Sequence, residues 1–223
     1  MILPQSINQL AAAILLLGPV PAFAQSNIDN SVPNKFSWGE NVGWMNWRDA
    51  NGATHGVHVG SFVMSGVIWG ENIGWINVGD GTPAVAPHYA NTTGADSGLN
   101  IDPNGDLHGM AWGENVGWIN FDGGGMATPP QPARIECASR PGQLLARLNG
   151  YVWGENVGWI NLADLTAGKF VALSAASTPL VCDMNHDGLM NGSDIQDFIV
   201  ILLTADADWR DTCSGDLEPA ATA

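Results

Sequence analysis

The chain has 223 residues, with 22 acidic and 7 basic side chains and a formal net charge of −15. This charge argues against a nucleic-acid partner and favours cations or a strongly solvated surface, because phosphate binding needs basic side chains. The length is enough for one sizeable domain and a small additional module.

The first 24 residues are typical of a signal peptide. They carry no charged side chain, contain the apolar run Leu10–Leu17 and end in Ala22-Phe23-Ala24, a small-x-small cleavage site. No later apolar stretch is long enough to cross a bilayer. The sequence therefore predicts a secreted or cell-surface protein with no membrane span in the mature chain, in which residues 25–34 form a linker.

A ten-residue motif recurs four times and dominates the chain between residues 35 and 175. The first copy reads Trp-Gly-Glu-Asn-Val-Gly-Trp-Met-Asn-Trp from Trp38 to Trp47, and the others begin at Trp69, Trp112 and Trp153. Nine of the ten tryptophans lie in these copies. Self-similarity at intervals of tens of residues indicates one supersecondary unit arranged in a ring, barrel or irregular solenoid.

Each copy predicts a β-hairpin, because its turn supplies glycines and an asparagine that tolerate positive φ. Alternating stretches at 62–68, 106–111 and 144–152 predict the strands that precede the later hairpins. Third strands are predicted at 56–59, 98–101, 133–137 and 170–173. The predicted fold is an all-β repeat domain of four three-stranded antiparallel units. It closes into a ring or barrel if residues 170–173 pair beside the first hairpin near Phe36.

The paired tryptophans allow two interpretations. Exposed in a row, they would stack on the apolar faces of sugar rings. Recurrence at two fixed positions of every copy is also what a repeated core layer requires, and we favour this core interpretation. The carbohydrate-binding interpretation requires at least one tryptophan of each pair to face solvent.

The turn glutamates do not predict catalysis. A glycosidase needs two carboxylates in different environments, whereas the four equivalent turn positions share one environment. We assign no catalytic residue, and we expect the neighbouring asparagines to adopt a left-handed conformation or to bond the turn backbone. The glutamates are Glu40, Glu71, Glu114 and Glu155, and the asparagines are Asn41, Asn72, Asn115 and Asn156.

The repeat resembles that of an uncharacterised family of exported bacterial proteins with repeated Gly-Tyr-Ala-Trp-x-x-Asn-x-Gly-Trp-Ile-Asn-Phe units. The resemblance covers about residues 35 to 173. It implies export and a repetitive β domain, and it implies no established activity.

Residues 183 to 194 have the ligand spacing of a calcium-binding loop. Oxygen-bearing side chains occupy positions 1, 3, 5, 9 and 12, Gly188 occupies the sharp turn at position 6, and the backbone carbonyl of position 7 supplies a further ligand. The predicted Ca²⁺ ligands are Asp183, Asn185, Asp187, Leu189, Asn191 and Asp194. The apolar spacing from Ile195 to Leu202 predicts a helix directly afterwards. The alternative is an acidic Asn-Gly-rich linker.

An aspartate at position 12, with a helix only after the loop, resembles the dockerin module. The resemblance implies that residues 176–223 form an α-helical calcium-binding tail that binds a cohesin-like or surface scaffold protein, with specificity positions at Gly192 and Ser193. A dockerin carries two loop–helix repeats, and residues 213–218 resemble only the start of a second, so the tail is predicted to be a half-module. Calcium is expected to order the helix at residues 192–204.

Three cysteines allow at most one intramolecular disulfide. We predict a Cys182–Cys213 pair, which would close a loop of about 30 residues, with Cys137 buried or free. Together these features predict a non-enzymatic secreted or surface repeat protein that attaches through a calcium-binding tail. The alternative function is a carbohydrate-binding module of a polysaccharide-degrading system that uses the repeat tryptophans.

Overall fold

The computed structural model describes residues 25–82, 89–140, 143–179, 182–187, 189, 191–204 and 208–215. The predicted signal peptide lies outside the described residues. The strands are β1 Phe36–Gly39, β2 Gly43–Asn46, β3 His58–Val59, β4 Met64–Gly70, β5 Gly74–Asp80, β6 Leu99–Ile101, β7 Leu107–Gly113, β8 Gly117–Asn120, β9 Arg134–Arg140, β10 Gln143–Asn149, β11 Tyr151–Gly154, β12 Gly158–Asn161, β13 Ala163–Asp164 and β14 Lys169–Phe170. The helices are α1 Asp194–Thr204 and α2 Trp209–Gly215.

Eight strands form a closed antiparallel barrel, which confirms the predicted closed all-β architecture. Each copy of the repeat supplies one hairpin: β1–β2 is hairpin 1, β4–β5 is hairpin 2, β7–β8 is hairpin 3 and β11–β12 is hairpin 4. The order around the wall is β2, β1, β12, β11, β8, β7, β5 and β4, and β4 pairs with β2 to complete the circle. Closure leaves no unpaired edge in the wall.

The barrel closes differently from the prediction. Strands β1 and β12 pair directly, with Trp38 opposite Asn161, so residues 170–173 are not needed in the wall. Val171 makes an isolated bridge to Lys35, just before hairpin 1. Strands β3 and β6 lie within the predicted third-strand segments 56–59 and 98–101, and β9 overlaps the segment 133–137. These three strands are not part of the eight-stranded wall, and they pair with β4, β7 and β10.

The interior of the barrel is filled by equivalent residues of the four hairpins, all of them buried. The four sets are Val42, Ile73, Val116 and Val157; Met45, Ile76, Ile119 and Ile160; Ser37, Ile68, Ala111 and Val152; and Trp47, Val78, Phe121 and Leu162. The large Trp47 is matched by the small Ser37, whose Oγ accepts its indole N–H at 2.8 Å. A void of only about 10 Å³ remains, so the barrel is a packed core.

The first glycine of each copy makes room for the aliphatic residue of the turn. A Cβ on Gly39 would lie 2.6 Å from Cγ2 of Val42, and the same contact recurs between Gly113 and Val116. Both distances are shorter than the contact distance of packed carbon atoms. A side chain at either glycine would therefore displace the buried valine at the turn end of the barrel. The Trp-Gly pairing in the motif is therefore a packing requirement.

Residues 25–34 pack on the barrel, although the sequence predicts a linker. Ile28 is 1% exposed and belongs to the main hydrophobic core. The hydroxyl of Ser26 donates to the Val57 carbonyl at 2.7 Å, and the amide of Asp29 donates to the Ala172 carbonyl at 2.8 Å. Apolar burial and backbone pairing explain why this polar stretch is ordered.

The predicted Cys182–Cys213 pairing is wrong. Cys213 forms a disulfide with Cys137 of β9, with the two Cα atoms 5.7 Å apart, and Cys182 is free and exposed. Helix α2 explains the difference, because its Trp209 is 3% exposed in the main hydrophobic core and its indole N–H donates to the Gly60 carbonyl at 3.1 Å. This docking, which sequence spacing does not reveal, places Cys213 beside β9.

Among the described residues, no helix has both the length and the apolar character needed to span a membrane.

Candidate functional site

Eight repeat tryptophans line the outer face of the barrel, so the interpretation of the pairs as a core layer is wrong. Five of them, Trp69, Trp75, Trp112, Trp118 and Trp153, are 37% to 48% exposed, and the rest are half-buried. Alternation along each strand turns the neighbouring aliphatic residue inward and the indoles outward. The ninth repeat tryptophan, Trp47, is the interior exception.

Each hairpin holds its two outer tryptophans directly opposite one another across the strands. The pairs are Trp38–Trp44, Trp69–Trp75, Trp112–Trp118 and Trp153–Trp159. Their ring centroids are 4.4 to 4.8 Å apart, with interplanar angles of 54° to 64°. Tilted stacking fixes both rings and leaves aromatic surface facing solvent, a geometry suited to the C–H face of a sugar.

The four pairs differ in what covers them. At hairpin 1, the Lys169 ammonium lies 4.1 Å from the centroid of Trp44. At hairpin 3, the chain approaches at Gly94, where a Cβ would lie 3.9 Å from the Trp118 ring. At hairpin 4, a Cβ on Gly123 would lie 2.6 Å from Cβ of Trp153. Hairpin 1 is therefore the platform that carries a charged side chain of the same chain.

The turn asparagines form a closed ring of hydrogen bonds at one end of the barrel. Each side-chain amide donates to a turn carbonyl of the neighbouring hairpin at 3.0 to 3.1 Å. The bonds run from Asn41 to Val157, from Asn156 to Val116, from Asn115 to Ile73 and from Asn72 to Val42. The expected bond to turn backbone exists, but it joins neighbouring hairpins, and the positive φ values of 75° to 82° belong to Gly43, Gly74, Gly117 and Gly158.

The turn glutamates stand in solvent at the same end of the barrel. Glu40, Glu71, Glu114 and Glu155 are all exposed and occupy equivalent turns. Equivalent, solvated carboxylates do not form the unlike acid and base that glycoside hydrolysis requires. Their common contribution is a negative rim beside the tryptophan pairs.

The predicted calcium loop is held by its own carboxylates. Asp183 and Asp194 are 3% and 4% exposed, Asn185 is half-buried, and Asp187, Leu189 and Asn191 are exposed. The Asp194 carboxylate accepts the amides of Asn191 at 2.7 Å and Met184 at 3.0 Å, and Asp183 accepts the amide of Asp187 at 3.1 Å. The backbone hydrogen bonds to Asp194, that of Asn191 first, hold the pKa of Asp194 below its ordinary value.

The donor set suits a hard cation, because each predicted ligand offers oxygen. Residues 188 and 190 of the loop lie outside the described residues. Within the described part, the histidine and acidic residues whose ligand atoms lie within 4.8 Å of one another are His186, Asp208 and Asp211, not the three loop aspartates. The loop carries the right donors, but its aspartates must converge to share one ion.

The His186, Asp208 and Asp211 cluster has a structural explanation. Asp208 accepts the Asp211 amide at 3.2 Å while Asp211 accepts the Asp208 amide at 2.7 Å, which is a reciprocal capping box at the start of α2. Arg210 binds Asp208 at 2.6 Å, and His186 Nε2 lies 3.4 Å from Asp211. Burial first, and then the Asp208 charge, raise the pKa of Asp211. The cluster joins the loop to α2 beside a cavity of about 510 Å³.

Two features of these sites escape sequence reasoning. Lys169 is one basic residue in a short stretch after the last repeat, and nothing in the sequence indicates that it reaches Trp44. The asparagine ring joins neighbouring hairpins, and the sequence alone does not show which hairpins are neighbours in the closed barrel. The invariance of asparagine in all four turns was the available signal.

The comparisons give no identification: no family model matches the chain, and no curated protein or solved structure matches it either.

Proposed function

We propose that the chain is a non-enzymatic, exported polysaccharide-binding protein whose outer tryptophan pairs bind sugar rings. The observation that carries the proposal is the exposure of aromatic surface on three of the four hairpins, at Trp69, Trp75, Trp112, Trp118 and Trp153. Exposed large aromatics in a regular array keep apolar surface in contact with water, and a ligand that covers them gains free energy by removing that surface from water. Cross-strand stacking holds each indole in place, so little rotamer freedom is lost on binding.

A binding function fits the remaining polar groups better than catalysis does. The turn glutamates are equivalent, and the turn asparagines are used in holding the hairpins together. Neither set supplies an asymmetric acid and base. The platforms face outward around a closed wall, which favours contact with several chains of a polymer over enclosure of one small molecule.

The test is a titration of the full chain with soluble oligosaccharides, followed by tryptophan fluorescence and calorimetry. Binding should perturb the emission, and the double substitution Trp112→Ala, Trp118→Ala should reduce the number of ligands bound. Leu165→Ala is the matched control, because Leu165 is 52% exposed but lies outside the tryptophan pairs. A broad glycan panel that leaves both fluorescence and heat unchanged would sink the proposal.

A second function, attachment through the tail, is favoured by helix α1. Its stripe of Ile195, Ile199 and Leu202 follows helical spacing and is 49% to 63% exposed, with Leu203 at 81%. We propose that Ca²⁺ binding to the loop fixes α1, which then docks its apolar stripe on a cohesin-like domain. Asp183 and Asp194 stand at the first and last loop positions and would supply carboxylate ligands.

Calcium binding is measured by calorimetry on the full chain, with helicity followed by circular dichroism. We expect saturable binding and added helicity, and loss of both in Asp194→Asn, since a neutral amide cannot replace the final carboxylate. Glu155→Gln removes one negative charge far along the sequence and should leave calcium binding intact. Equal calcium affinity in all three chains would contradict a site at this loop.

A further inference from the structure

Hairpin 1 shows what kind of group its aromatic face accepts. The Lys169 ammonium lies 4.1 Å from the Trp44 centroid and 5.8 Å from the Phe36 centroid, both within the range of a cation–π contact. Lys169 reaches this position because β13 and β14 fold back after hairpin 4, with Asp164 opposite Lys169. The chain thus supplies its own ammonium group to the first platform.

Hairpin 4 repeats the aromatic arrangement of hairpin 1. Tyr151 lies opposite Asn161 in the same register as Phe36 opposite Asn46. The Tyr151–Trp159 rings are 6.3 Å apart at 89°, compared with 6.5 Å and 76° for Phe36–Trp44. The tryptophan pairs also match, at 4.8 Å and 64° in hairpin 4 and 4.7 Å and 57° in hairpin 1.

The other two hairpins lack the third ring. The residue at the register of Tyr151 is Val67 in hairpin 2 and Met110 in hairpin 3. Among the side chains that the structure describes, cations lie over Phe36, Trp44 and Phe170, and none lies over Tyr151 or Trp159. Hairpin 4 therefore has the aromatic triad of hairpin 1 with no cation from the described side chains over its Tyr151 or Trp159 ring.

Charge at this site also favours a cation. Glu155 is exposed in the turn that joins Trp153 to Trp159. The whole chain has a formal net charge of −15, which concentrates cationic ligands near its surface. The negative charge of the chain would repel an anionic polysaccharide and would not attract a neutral one.

We propose that Tyr151, Trp153 and Trp159 form a binding site for a polysaccharide of amino sugars with free, protonated amino groups. This inference rests on the proposed function and specifies the ligand of one of its platforms. The pyranose face stacks on a tryptophan, while the ammonium takes the position over Trp159 that Lys169 takes over Trp44. Glu155 provides the adjacent negative charge.

The test compares three oligomers of equal length on the full chain at a pH that keeps the amines protonated. They are β-1,4-linked glucosamine, its fully N-acetylated counterpart, and β-1,4-linked glucose. We expect the glucosamine oligomer to bind roughly tenfold more tightly than the other two, the scale of one cation–π contact, and to weaken as salt is added. Equal dissociation constants would overturn the inference and leave the proposed function standing, whereas no binding of any oligomer would contradict both.

Two substitutions at one register locate the site. Tyr151→Leu should bring the three affinities together, while Met110→Leu at the same position of hairpin 3 should leave the preference for glucosamine unchanged. Lys169→Met should free the first platform and raise the number of sites that prefer glucosamine from one to two. A preference that survives Tyr151→Leu, or a number of such sites that does not change in Lys169→Met, would overturn the assignment, provided that circular dichroism shows folded variants.

Discussion

The barrel and the C-terminal tail use their side chains in different ways. In the barrel, the repeated asparagines are hydrogen-bonded within the chain: Asn72 donates to the Val42 carbonyl, and Asn120 accepts the Asp122 amide at 2.8 Å. In the tail, α1 leaves Ile195 and Leu203 in solvent. The barrel thus leaves its outer indoles exposed, whereas α1 of the tail has apolar surface that the described chain does not cover. Elsewhere the tail packs on the rest of the chain through Trp209 and the Cys137–Cys213 disulfide. The difference separates residues that build the fold from residues left for a ligand.

The largest expected effect comes from removing the Cys137–Cys213 disulfide, which links the two regions. Replacing both Cys137 and Cys213 with serine should lower the free energy of unfolding by about 4 kcal/mol in the chain-entropy model, since the bridged residues are 76 apart. Urea denaturation measures the loss. Cys182→Ser is the control and should be neutral, because Cys182 is free and exposed. A non-reducing peptide map that joins Cys182 to Cys213 would contradict the structure.

The next effect tests whether the repeated glycines are packing requirements. Gly150 has φ of +90°, and a Cβ there would collide with the Pro132 carbonyl, so Gly150→Ala should cost about 3 kcal/mol. Gly168 also has positive φ, +65°, but open space around it, so Gly168→Ala should cost only about 1 kcal/mol of backbone strain. Chemical denaturation distinguishes the two. Equal losses of unfolding free energy in the two variants would contradict the close contact between Gly150 and the Pro132 carbonyl.

A smaller effect tests the asparagine ring. Asn72→Ala removes the hydrogen bond to the Val42 carbonyl and should lower stability by about 1 kcal/mol. Asn115→Ala should behave alike, because its bond to Ile73 is equivalent. The adjacent Glu71 is exposed, and Glu71→Gln should stay within about 0.5 kcal/mol of the parent. Thermal unfolding that ranks Glu71→Gln with the asparagine variants would argue against the ring.

The smallest expected effect is a pH dependence at His108. Burial, which lowers the pKa of His108, is outweighed by the hydrogen bond to Asp122 at 2.6 Å and by neighbouring carboxylates, so the pKa is raised. The contact therefore stabilises the fold fully below pH 6.5, and its contribution is lost as pH rises through the folded-state pKa. Both partners are about half exposed, so about 0.5 kcal/mol is expected. His108→Gln should remove this pH dependence of the free energy of unfolding. An unchanged dependence would mean that another group causes it.

The sequence predicted the hairpins, their count and a closed all-β arrangement, because glycine, asparagine and alternation act locally. The prediction of which side chains face the barrel interior was wrong. Repetition of Trp69 and Trp75 indicates equivalent positions, but not which side of the wall is inside, and the aliphatic Ile68 and Ile76 take the interior. The volume inside eight strands settles this choice, since it holds one inward side chain per hairpin in each set.

The wrong disulfide prediction and the packing of residues 25–34 have one cause in common. Both depend on long-range docking: Trp209 and Ile28 lie near opposite ends of the described chain, and both belong to the main hydrophobic core. The spacing of residues along the sequence does not reveal such long-range contacts. The calcium loop is the opposite case, because its ligand spacing lies within twelve residues, although convergence of its aspartates on one ion stays a prediction.

Oxidative footprinting of the tryptophans, read by mass spectrometry, tests the central claim that the repeat displays its paired indoles on the outside of a closed barrel. We expect rapid oxidation of Trp69, Trp75, Trp112, Trp118 and Trp153. Trp47 and Trp209, which are 1% and 3% exposed, should stay protected until the protein unfolds. Uniform protection of all ten tryptophans in the folded protein would contradict it.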